Sequence, residues 1–359
     1  MDANKLHKES IVLDSHCDTP IRLLDGIDIN QLTNDGHVDF PRMKKGGVDA
    51  IFFVLYTSNK MEPDSATRRA LQMAAKIYDT VENSNGKVII STSAEEIIKN
   101  KKRGKLSVLI GMENGLPIQK DLSLLRIFYD LGVRYMTLTH AGNNEICDSC
   151  ATKEKRWNGL SPFGVNVVKE MNRLGMLIDV SHISDAAFYD VLKYSDAPVV
   201  ATHSCCRAIC NHPRNLTDQM IIDLAAKGGV VQINFYPAFL NRDYADKFFP
   251  LCDIFEEAEA KYKIDPVKYK DVYEAAKNEM FKIKRPSYKE VVDHIDHVVK
   301  LVGTSHVGLG SDFDGIEVTP EGLEGIDKFG VITNELILRG YSESDIKGIL
   351  GGNFLRILQ

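Results

Sequence analysis

The 359-residue chain predicts an α/β fold, a (β/α)8 barrel of the TIM type. Six strand-like runs end in a histidine or an acidic residue. Two further apolar runs fill the gaps between them, and the intervening segments are long enough to hold a helix each. Polar residues at the C-terminal ends of barrel strands read as catalytic. The types gathered here, imidazole and carboxylate, are the ligands of a hydrolytic metal site.

In chain order, IVLDSHCD ends in His16 and Asp18, and VDAIFFVLY follows at 48–56. LSVLIGMEN then carries Glu113, RYMTLTH carries His140, MLIDVSH carries His182 and PVVATHS carries His203. GVVQINFY at 229–236 is the seventh run, and HVGLGSDFDG, with Asp312 and Asp314, is the eighth. The runs are continuously apolar rather than alternating, as expected for parallel strands covered by helices. Amphipathic segments at 65–83, 93–102, 122–131, 162–174, 184–194 and 217–227 supply those helices. Ser184 and Thr217 are placed as N-caps, and Gly132, Gly175 and Gly228 stand where a C′ glycine belongs.

The whole chain, 1–359, reads as one metallo-dependent hydrolase barrel domain with one break in its rhythm. An insertion at about 237–286 separates the seventh strand from the helix before the eighth. It holds eight acidic and eight basic residues between Asp253 and Arg285, so it is expected to be helical and solvated. It emerges on the catalytic face, where it is either a plain surface insertion or a wall, lid or homodimer contact.

Hydrophobic residues make up 44% of the chain, enough for a large core. A net charge of −6 and a pI near 6.0 give no reason to expect nucleic acid as a partner. The basic run KNKKRGK is expected to be a solvated helix end. No run of 18 apolar residues suggests a membrane span. The polar start MDANKLHKES has no signal-like apolar region. Seven cysteines without regular spacing fit a reducing compartment. A cytoplasmic location is expected.

His16-Cys17-Asp18 is the strongest local signal. Residues two apart on a strand point to the same side, so His16 and Asp18 can face one metal while Cys17 faces away. Glu113, His140, His182 and His203 lie at the ends of other strands and are four further ligand candidates. Two divalent ions about 3.5–4 Å apart can share a hydroxide and polarise a carbonyl.

In this order, DSHCDTP, GMENG, MTLTH, LIDVSH, ATHS, RNLTD, GLGSDFDG and GGNFLRIL resemble the renal-type (membrane) dipeptidase family of zinc peptidases. That family lies within the amidohydrolase-like superfamily, and the likeness is to its cytoplasmic bacterial members. It runs from Ile11 to Leu358. The resemblance implies a dipeptide substrate and two Zn2+ ions per chain, the first held by His16, Asp18 and Glu113. Glu113 would bridge to the second, held by His182 and His203. His140, Arg214 and Asp312 match the substrate-handling positions. Asp312 would then move the proton from the attacking water to the leaving amine. His140 would hydrogen-bond the oxyanion, and Arg214 would clamp the substrate carboxylate. A D-residue at the C-terminal position is within the expected range.

Other readings stay open at this point. Arg214 could instead pair with Asp218, and Asp314 could compete with Asp312. Asn234 and Tyr236 are weak candidates for the pocket lining. His294 and His297 sit on a helix away from the strand ends and are expected to pack rather than bind metal. Cys147 and Cys150 form a CxxC with no second pair. GxSxG, HExxH and the P-loop are absent. Rival activities are deacetylation of N-acyl amino acids and opening of a cyclic amide or lactone. The rival outside enzymes is a barrel kept only for binding.

Overall fold

The computed structural model describes residues 2–358. Its strands are β1 Leu13–Cys17, β2 Ala50–Tyr56, β3 Val88–Ile90, β4 Leu106–Glu113, β5 Val133–Thr137, β6 Leu177–Asp179, β7 Val200–Ala201, β8 Val230–Ile233 and β9 Val307–Leu309. Eight of them, all parallel, follow the order β1-β2-β4-β5-β6-β7-β8-β9. The sheet closes where Asp18 N donates to Phe313 O at 2.8 Å and Asp312 N donates to His16 O at 3.0 Å. This is the expected barrel, nearly closed.

The short β3 is an addition that the sequence reading missed. It pairs with Leu106–Val108 at the start of β4, and β5 takes over that edge from Ile110 onward. Three residues carry too little periodicity to be seen in advance.

Side chains alternate between two cores, as a pleated strand requires. On β2, Ile51, Phe53 and Leu55 pack outward against helices. Phe52 and Val54 join Leu13, Leu109, Tyr135, Leu177, Val200 and Val230 in the second core, inside the barrel. The C-terminal helix Asn353–Ile357 plugs the far end, with Phe354 edge-on to Phe52 at 5.3 Å. Burying each such side chain stabilises the fold by about 1.5–3 kcal/mol. A plugged bottom leaves the C-terminal strand ends as the open end.

The six amphipathic segments are helices: Pro63–Glu82, Ala94–Lys102, Leu122–Asp130, Pro162–Leu174, Asp185–Tyr194 and Asp218–Ala226. Ser184 Oγ and Thr217 Oγ1 accept from the backbone N–H groups of Ala187 and Met220, both at 3.2 Å. The insertion forms Pro237–Leu240, Arg242–Ile264 and Lys270–Phe281. Its two long helices meet as a hairpin, with Tyr262 stacked on Tyr273 at 4.6 Å. It is more than a surface excursion. Phe249 stacks on His212 at 4.9 Å, and Phe239 lines the cavity at the strand ends.

Candidate active site and metal centre

The strand ends deliver polar groups to the same place. His16 is the penultimate residue of β1, and Asp18 lies one residue beyond that strand. Glu113 is the last residue of β4, and His182 and His203 follow β6 and β7. His16 Nε2 lies 3.7 Å from Asp18 Oδ2, side by side as the HxD spacing requires. Cys17 points the other way, into the outer core.

Glu113 stands between two groups. Its Oε1 lies 3.0 Å from His182 Nε2 and 3.3 Å from His203 Nε2. Its Oε2 lies 3.6 Å from His16 Nε2. His182 and His203 present their Nε2 atoms to each other at 2.9 Å. His140 Nε2 is 3.9 Å from Glu113 Oε1. Asp312 approaches His16 and Asp18 closely enough to share an ion with them.

His16, Asp18, Glu113 and His203 are buried, His140, His182 and Asp312 are partly so, and their charges are unbalanced. Burial, then repulsion from Glu113, pushes the Asp18 carboxyl well up. Burial works to lower His16, but attraction to Glu113 and Asp18 outweighs it and lifts that imidazole to about 9. Burial likewise opposes ionisation of Glu113, yet His16 and His140 hold it well below the usual carboxylate range. His140, His182 and His203 are lowered, first by burial. His16 Nε2 and Asp18 Oδ1 have no hydrogen-bond partner although both are buried. Orphaned ligand atoms in a nitrogen and oxygen donor set fit a divalent metal.

A layer below, a polar network orients the ligands. Asp179 Oδ2 accepts from Thr137 Oγ1 at 2.5 Å and from Thr202 Oγ1 at 2.6 Å. With its proton so committed, Thr202 Oγ1 accepts from His203 Nδ1 at 2.8 Å, which leaves the His203 Nε2 lone pair facing Glu113. Tyr135 Oη donates to Ser15 O at 3.0 Å and meets His16 Nδ1 at 2.9 Å, fixing that ring in the same sense. The Tyr135 ring fits only because residue 111 is glycine: a Cβ there would lie 2.4 Å from Tyr135 Cζ. The sequence reading missed Asp179, Thr202 and Tyr135. Asp179 and Thr202 lie inside the MLIDVSH and PVVATHS runs, three and one residues before the histidines they serve.

Backbone strain gathers at the same end. His182, Asp312 and Asp314 have φ of 68°, 63° and 63°, in the left-handed region. A Cβ at Gly315 would meet Asp18 Oδ2 at 2.2 Å and Asp312 Oδ1 at 2.7 Å.

The carboxylates of the GSDFDG turn take different surroundings. Asp312 Oδ2 accepts from Asn234 Nδ2 at 2.9 Å and faces the cavity. Asp314 accepts from Thr19 Oγ1 at 2.7 Å, Arg22 Nη1 at 3.2 Å and the His37 backbone N–H at 2.6 Å, bonds that tie the helix Thr19–Leu24 and the segment at His37 to this turn. Asn234 is thus buried behind Asp312, and Tyr236 lines the cavity.

Arg214 does not pair with Asp218, which meets His297 instead at 2.7 Å. Its guanidinium donates to His203 O at 3.0 Å and Ser204 Oγ at 3.3 Å and lies over the Phe239 ring. Arg214 Nε has no partner, and no carboxylate neutralises the group among the described residues. The side chain is buried and does not itself line the cavity.

The discounted motifs lie elsewhere. His294 is buried, its Nδ1 accepting from the Cys206 backbone N–H and its Nε2 meeting Leu240 O. Cys147 and Cys150 are free thiols. Within KNKKRGK, Lys101 is more than solvated: it pairs with Asp49 at 2.6 Å. No helix among the described residues is long and apolar enough to cross a membrane.

Known proteins resemble this chain along its length. The family model of the membrane dipeptidases (peptidase family M19) matches residues 1–359. Dipeptidase aclJ of Aspergillus oryzae is 34% identical over 331 residues, 90% of this chain and 69% of that one. The crystal structure of the probable dipeptidase PvdM from Pseudomonas aeruginosa superposes with a TM-score of 0.87 at 29% identity, covering 99% of this chain and 96% of that one. A Rhodobacter sphaeroides metallopeptidase, solved with a phosphinate mimic of the dipeptide L-Ala-D-Ala, gives 0.81 at 25%, covering 98% of this chain and 99% of that one. A barrel of this order, with such a donor set at its open end and a family match along its full length, makes the chain a member of the membrane dipeptidase family and a metal-dependent dipeptidase.

Proposed function

We propose that the protein hydrolyses dipeptides with two zinc ions that share Glu113. The carrying observation is the division of that carboxylate, with Oε1 turned to His182 and His203 and Oε2 to His16. His16, Asp18 and Glu113 would hold one ion, and Glu113, His182 and His203 the other. When bound, the pair supplies Lewis acidity to the scissile carbonyl and lowers the pKa of the attacking water.

The protein's own groups do the rest. Asp312 takes the proton of that water and returns it to the leaving amine. Its hydrogen bond from Asn234 keeps one oxygen fixed while the other stays free. His140 donates to the oxyanion as it forms. Arg214 clamps the substrate's terminal carboxylate, and its partnerless Nε and the lack of a counter-ion among the described residues support that role. The L-Ala-D-Ala mimic held by the Rhodobacter relative supports tolerance of a D-residue at the C-terminal position. Seven free cysteines support a reducing, cytoplasmic setting.

The test joins metal analysis to a substrate panel. Purified protein is expected to carry about two zinc ions per chain and to lose activity on chelation. It should release amino acids from L-L and L-D dipeptides. No transition metal together with chelator-resistant activity, or N-acetyl amino acids turned over in preference to dipeptides, would overturn the proposal.

A further inference from the structure

The catalytic cavity, about 280 Å3, has a polar floor and a rim of different character. Ile21, Tyr56, Tyr236, Phe239 and Ile316 make most of that rim, and Glu317 is its one charged side chain among the described residues. The floor carboxylates are accounted for. Asp18 and Glu113 face imidazoles, Asp312 accepts from Asn234, and Asp314 is paired with Arg22. Glu317 differs. Its one side-chain partner is the Tyr236 hydroxyl, which donates to Oε2 at 3.2 Å, and no cation pairs with it among the described residues. Glu317 is exposed and lines the cavity, so a cation carried in by the substrate can reach its carboxylate without displacing a charged partner.

The position of Glu317 relative to Arg214 gives the direction. Arg214 follows β7 and lies over the ring of Phe239, which follows β8 and lines the same cavity as Glu317, after β9. On the dipeptidase reading, on which this inference rests, the substrate's carboxylate goes to Arg214. Its N-terminal residue then extends toward the β9 loop. We propose that Glu317 selects dipeptides whose N-terminal residue has a cationic side chain, with the aliphatic stem laid against Tyr236 and Ile316. A stem on apolar surface with its charged head at a carboxylate is how such side chains are ordinarily accommodated, and the Tyr236 ring adds attraction for the cation.

The test compares kcat/KM for Lys-Ala with norleucyl-Ala, which keeps the stem and lacks the charge, and with Ala-Lys. Wild type is expected to favour Lys-Ala over norleucyl-Ala by about tenfold or more, the scale of one charge-assisted hydrogen bond. In Glu317→Gln that ratio should collapse toward unity. Glu317→Lys, a second variant on the same loop, should turn the preference toward Glu-Ala. A wild-type ratio near unity would overturn the inference and leave the dipeptidase reading intact. So would a ratio that survives in Glu317→Gln, or a preference for Ala-Lys. Failure to cleave any dipeptide would remove that reading and this inference with it.

Discussion

Thr202 donates its hydroxyl proton to Asp179 Oδ2 at 2.6 Å, so toward His203 Nδ1, 2.8 Å away, its oxygen can act only as acceptor. One committed proton therefore sets the tautomer of a proposed metal ligand. Thr202→Val and Asp179→Asn are expected to weaken zinc binding by about 10–100-fold, the usual cost of losing a partner of a ligating histidine. Competition with a chromophoric chelator measures it. Unchanged affinity in both variants would mean that packing alone orients the ring.

Asp312→Asn should keep the metal and lower kcat by about 10²–10⁴-fold, the contribution of a general acid–base. Asp18→Asn should lose metal. Asp314 serves Thr19, Arg22 and the His37 backbone, so Asp314→Asn should lower the melting temperature more than turnover. Full turnover in Asp312→Asn with a folded, inactive Asp314→Asn would reverse the two assignments.

Arg214→Ala should cut kcat/KM on free dipeptides and narrow the gap to C-terminally amidated ones. A charge-assisted hydrogen bond contributes roughly 1.5–3 kcal/mol, so the wild-type gap should be at least about tenfold. Equal wild-type rates on free and amidated forms of one dipeptide would leave Arg214 a structural residue.

Gly111→Ala forces a methyl group to 2.4 Å from Tyr135 Cζ and should cost about 1–3 kcal/mol of stability, as overpacking does. Zinc affinity should fall with it, because the displaced ring carries the hydroxyl that meets His16. Gly330→Ala, where nothing lies within 4 Å of the new Cβ, is the control and should be neutral. Denaturant melts of the two variants give the comparison, and an unshifted Gly111→Ala midpoint would contradict it.

All seven cysteines are free, so seven thiols should react under denaturing, non-reducing conditions. Several are buried, and burial pushes the Cys17 and Cys205 thiols well up, so those two should stay unreactive in the folded protein. Rapid labelling of either in the native state would contradict their placement.

By itself the sequence determined the barrel and the residues at its mouth. Apolar runs that end in His16, Glu113, His182 and His203 fix both strand identity and which end of each strand is polar, because a parallel strand is buried along its length and open only at its C-terminal end. The i, i+2 rule was enough to pair His16 with Asp18 and turn Cys17 outward. Tertiary structure alone decided the rest, since those facts concern residues far apart in the chain. Separating Asp312 from Asp314 depends on Asn234 and Arg22, which other strand ends and helices bring in. Freeing Arg214 from Asp218 depends on His297, 79 residues further on than that aspartate. The Tyr135 contact with His16 spans 119 residues across the barrel interior, and only ring closure puts those two groups within hydrogen-bond reach.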